Sequence, residues 1–93
     1  MSDKSSRSLP PEALDEWAVA LKERFRLADE DVPVALILDL AGVVAHSVAR
    51  PAAPFSAFVA GLVAGRAGGS PEDVRAAVAA VSELADGWPQ AVG

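Results

Sequence analysis

The chain has no cysteine, no tyrosine, one histidine and one methionine in 93 residues. Without cysteine there are no disulfides, thiolate nucleophiles or zinc–sulfur centres. A lone histidine works against a metal site, which calls for two or three clustered imidazole or carboxylate ligands. Aromatic residues are scarce, with three Phe and two Trp. Basic residues are outnumbered, eight Lys and Arg against 13 Asp and Glu, for a net charge of −5. Nucleic acid and anionic membrane surfaces both select a basic face, so neither is an expected partner. No apolar run reaches the roughly 18–20 residues of a membrane span. "VPVALIL" stops at Asp39 and "FVAGLVAG" at Arg66. The opening "MSDKSSRS" lacks the apolar core of a signal peptide. A cytoplasmic protein is expected.

What the chain does have is alanine and valine, within a hydrophobic content of 52%. Close-packed helices suit that composition better than a sheet. Proline and glycine punctuate four helical segments. The first is expected over Pro11–Phe25, where Leu14, Trp17, Ala18, Leu21 and Phe25 recur at helical spacing. Asp31 is placed to cap the second, over Pro33–Ala49, which is apolar almost all round. The third follows the "PAAP" corner with Pro54 in its first turn and stops at the "AGG" of residues 67–69. The fourth opens on "SPEDV", with Ser70 as cap and Pro71 in the first turn, and ends at Gly87 or Pro89.

The expected architecture is all-α: a compact four-helix domain over residues 10–89, with a flexible polar N-terminal tail at 1–9 and a C-terminal tail at 90–93. A central apolar hairpin of helices 2 and 3 would be covered by amphipathic helices 1 and 4. Trp17 and Trp88 would be the large plugs of an alanine-rich interior. Leu36, Leu40 and Val43 form one stripe of helix 2, and Ala57, Gly61 and Gly65 are spaced four apart on helix 3. These six are the expected packing and interface residues, the small ones lining a close helix–helix contact. Two amphipathic helices do not cover both sides of two apolar ones. The leftover face points to a homodimer or to docking on another protein.

The chemistry candidates gather at "AHSVARPAAPF", residues 45–55. Asp39, His46 and Arg50 are seven and four residues apart, and so share one helix face. Asp39 and His46 are nevertheless roughly 10 Å apart by helical rise, too far to bond directly. No nucleophile-elbow motif surrounds Ser47 or Ser56. One reading makes His46 a structural residue, bonding a carbonyl or carboxylate and fixing the corner. The other is an anion site, with His46, Arg50 and the N–H groups near Phe55 and Ser56 converging on a phosphate. "GRAGG" at residues 65–69 has no preceding strand and no GK[ST], so it reads as a helix stop.

Three stretches carry a resemblance: "LDEW" at 14–17, "LDLAGVVAHSVARPAAPFSAFVAGLVAGRAGG" at 38–69, and the closing helix that ends in Trp88. They resemble a small family of uncharacterised helical domains from high-GC bacteria. Such domains occur alone or fused to the C-terminal side of molybdenum-cofactor guanylyltransferase-like proteins. The chain departs from that pattern at Gly42, where many relatives carry a charged residue. The resemblance implies an accessory role near molybdopterin nucleotide chemistry, and carries over no catalytic residue.

The expectation is therefore a non-enzymatic interaction or accessory domain with no cofactor and no independent catalytic activity. Its partner would be a second copy or a nucleotidyltransferase-like protein. The alternative is a small-molecule module recognising a phosphate or pterin group near His46 and Arg50.

Overall fold

A computed structural model describes residues 11–89. The two expected tails lie outside the described residues. Helices α1 (Pro11–Phe25), α2 (Val34–Ser47), α3 (Ala52–Ala67) and α4 (Pro71–Asp86) make an all-α chain, with no strand among the described residues. The chain divides into two units, Met1–Val32 and Pro33–Gly93.

The first unit holds α1 and a 3-10 turn at Asp29–Asp31. On the apolar stripe of α1, Ala18 is buried and Leu21 half-buried, while Trp17 and Phe25 are exposed. The helix closes with the Leu27 N–H donating to the Lys22 carbonyl at 2.8 Å. That closure puts Arg26 at φ 58°, a left-handed conformation usually left to glycine. Lys22 Nζ then reaches the Asp29 carboxylate at 2.9 Å. Asp31 does not cap α2 as the sequence suggests. Its carboxylate accepts from the Ala28 N–H at 2.9 Å, closing the 3-10 turn instead. The N-cap of α2 is Pro33, whose ring carries no group that can accept a hydrogen bond.

In the second unit each of α2, α3 and α4 packs against the other two. The core is Leu40 and Val44 of α2, Ala60 and Ala64 of α3, and Ala77, Val78 and Ala85 of α4. Leu40 and Val44 are its largest fully buried side chains. Alanine at the contacts allows close approach of helix axes, and Leu36, Ile37, Val43, Val74 and Val81 fill the margins.

The links between these helices follow from proline and glycine. Helix α2 stops at Ser47, two residues earlier than expected, because the N–H groups of Val48 and Ala49 both turn back to the Val44 carbonyl. Helix α3 starts inside the expected corner, at Ala52, with Pro51 as N-cap. Pro54 thus falls in the first turn, where its missing N–H costs nothing. At the other end of α3, the Gly69 N–H donates to the Ala64 carbonyl at 2.8 Å. Gly68 and Gly69 take φ 131° and 78°, which a side chain resists. Ser70 and Asp73 then form a reciprocal capping box at the start of α4, both bonds 3.0 Å.

Candidate functional site

An open groove of about 260 Å³ lies where the end of α2, the start of α3 and the end of α4 meet. Val44 and Ala85 form part of its inner wall, and both are buried. Val48, Phe55, Leu84 and Trp88 form its lip, and Ser56 is its only polar lining residue. Phe55 is 69% exposed, Leu84 65% and Trp88 50%. Trp88 is held just past α4 by its own N–H, which donates to the Ala85 carbonyl at 3.1 Å.

The apolar surface continues along α3. Phe58 and Leu62 follow Phe55 at three and seven residues and share its helix face. Phe58 is as exposed as Phe55. No charged residue occurs in α3 before Arg66.

The residues singled out at the "AHSVARPAAPF" corner are not brought together as an anion site. His46 and Arg50 are exposed and line no part of the groove; Ser56 does line it. Arg50 lies beyond the end of α2, so it no longer shares a helix face with Asp39 and His46. The helix end supplies no donors either. The N–H groups of Ala52 and Ala53 already bond the carbonyls of Ala49 and Arg50, and Pro54 has none. Phe55 and Ser56 sit past the first turn, where backbone N–H groups are committed within the helix.

Nor does His46 brace the corner. Among the described residues the side chains of His46 and Arg50 make no hydrogen bond or ion pair, and backbone bonds to the Val44, Ala49 and Arg50 carbonyls close the turn. The described residues also contain no group of three or more His, Asp or Glu side chains arranged to hold a metal ion.

The packing candidates divide. Leu40 is in the core, with Leu36 and Val43 packed against it. Ala57 is half-buried, but Gly61 and Gly65 are exposed, and a Cβ added to either meets nothing within 4 Å. The small residues that meet neighbouring helices are Ala60 and Ala64, one position before each glycine. Trp17 and Trp88, expected as interior plugs, are both at least half exposed. Spacing alone assigns Leu84 and Trp88 to a core stripe. A signal of their exposure lay in composition: helices of alanine and valine leave an interior too thin for large rings.

No described helix is long and apolar enough to cross a membrane. Comparison with curated proteins and with solved structures found no match. A family model matches residues 9–93, and the chain belongs to that family, a domain of unknown function designated DUF6457.

Proposed function

We propose that this chain is an accessory protein-interaction domain whose apolar groove seats a helix from another protein chain. The observation that carries this reading is the groove's lip: Val48, Phe55, Leu84 and Trp88 surround a hollow with one polar lining residue. Small-molecule sites are usually about 300–1,000 Å³ and carry several placed polar groups to orient the ligand. A hollow of about 260 Å³ that opens to solvent and offers only Ser56 suits apolar side chains presented by a partner. Burying one such side chain contributes roughly 1.5–3 kcal/mol. The resemblance of residues 38–69 to domains fused to molybdenum-cofactor guanylyltransferase-like proteins supports a nucleotidyltransferase-like partner and an accessory role in that chemistry.

The test is calorimetric titration of the chain with a purified molybdenum-cofactor guanylyltransferase-like protein of the same genome. Saturable binding is expected. Leu84→Glu places a charge on the groove lip at a position too exposed to disturb the fold, and should weaken binding about tenfold or more. No binding, or binding indifferent to Leu84→Glu, overturns the reading.

A further inference from the structure

We infer that in the free chain this apolar surface is covered by a second copy of the same chain, docked by a two-fold pairing centred on the outer face of α3, and that the proposed partner binds by displacing that copy. The inference rests on the proposal that this surface is an interaction site, and names what fills it.

Area is the first argument. An aromatic side chain presents about 150–250 Å², so the exposed fractions of Phe55, Phe58 and Trp88 leave roughly 400 Å² of aromatic surface in solvent. Val48, Leu62 and Leu84 extend the patch to on the order of 600 Å². That is the upper end of what a monomer's largest apolar patch covers, about 300–600 Å². Paired with itself, the patch buries roughly 1,200 Å² in total, where specific, stable interfaces begin.

Charge is the second. The chain carries −5, so two copies repel unless they meet on an uncharged face. Helix α3 has no charged residue from Ala52 to Gly65. The α3 part of the patch therefore lets two acidic chains meet without opposing carboxylates, and the exposed Glu83 and Asp86 neighbour only its α4 part.

Shape is the third. Gly61 and Gly65 leave open space above the helix, while Phe58 and Leu62 stand beside them as knobs. A two-fold axis sets the knobs of each copy into the hollow of the other, so one patch serves as both halves of the contact.

Sedimentation equilibrium of the full chain tests this. At micromolar concentration the wild type should show twice its 9.5 kDa mass and dissociate on dilution. Phe58→Glu should be monomeric with an unchanged helical circular dichroism spectrum. Gly61→Leu is the discriminating variant, because it adds apolar surface while filling the hollow. If association is nonspecific stickiness, this variant associates more strongly; if the hollow is the seat, association weakens about tenfold or more. A wild type that stays monomeric, or a Gly61→Leu chain that dimerises as well as wild type, overturns the inference. A monomeric wild type whose binding to a nucleotidyltransferase-like protein is lost in Leu84→Glu would refute the dimer alone and leave the proposed function standing.

Discussion

Helices α3 and α4 are both 16 residues long and pack against each other, yet they sort their faces by different rules. In α4 polarity decides, except at Leu84 on the groove lip. Ala77, Val78 and Ala85 turn inward, while Glu72, Arg75, Glu83 and Asp86 lie outside. In α3 both faces are apolar and size decides. Ala53, Ala60 and Ala64 are buried, while Phe55, Phe58 and Leu62 stay out. Burying a Phe or Leu side chain stabilises by roughly 1.5–3 kcal/mol, so the orientation of α3 leaves several kcal/mol unused within one chain. What it gains is closeness, since alanine contacts bring three short helices around Leu40 and Val44. The contrast separates a helix that completes a fold from one that also presents a surface.

The largest expected effect comes from reversing the size rule. Ala60 is 2% exposed, and Ala60→Leu forces a branched side chain into the contact that alanine permits. It should cost about 1–3 kcal/mol. A loss of 1 kcal/mol lowers the melting temperature by roughly 4–8 °C in a domain of this size. The matching change on the exposed side of α4, Ala79→Leu, should stay within about 0.5 kcal/mol of wild type. Equal melting temperatures for these two variants would erase the distinction between the alanine face of α3 and the solvent face of α4.

A smaller effect separates the helix starts. Helix α4 begins with the Ser70 hydroxyl accepting from the Asp73 N–H at 3.0 Å, and α3 has no side-chain cap. Ser70→Ala should therefore cost about 1 kcal/mol, read as a lowered urea midpoint. The capping serine cannot be much less important than that if α4 holds two other helices in place. An unchanged midpoint would mean that tertiary packing alone fixes this helix end.

How much was legible in advance follows from the same contrast. The Ser70 cap, the inward turn of Ala77, Val78 and Ala85 in α4 and the glycine stop of α3 were readable, because each rests on local chemistry: a hydroxyl, a charge pattern, a positive φ; the same spacing put Leu84 and Trp88 inside, where they are not. The orientation of α3 was not. With apolar residues on every side, helical periodicity has no phase to report, so Ala57, Gly61 and Gly65 were as eligible for the inner face as Ala60 and Ala64. The corner at His46 misled for another reason. Rare residue types in a row invite chemistry, but Pro51 and the bonds to the Val44, Ala49 and Arg50 carbonyls already close that turn. The leftover apolar face was foreseeable from the near absence of charge in the second and third segments, though not its location around Phe55 and Trp88.

The finest distinction lies between glycines on and beyond α3. Gly61 is helical and exposed, and an added Cβ meets nothing within 4 Å. Replacing a helical glycine by alanine gains roughly 0.8–1 kcal/mol at such a site. Gly68 has φ 131°, and its added Cβ would come 3.1 Å from the Asp73 carboxylate. Gly61→Ala should thus raise the melting temperature and Gly68→Ala lower it, two methyl groups seven residues apart with opposite signs. The comparison belongs at concentrations low enough for the chain to be monomeric, since a methyl at Gly61 also enters the hollow assigned to a second copy. If Gly61→Ala destabilises even there, the outer face of α3 already rests on protein within a single chain, and it is not free to receive a partner.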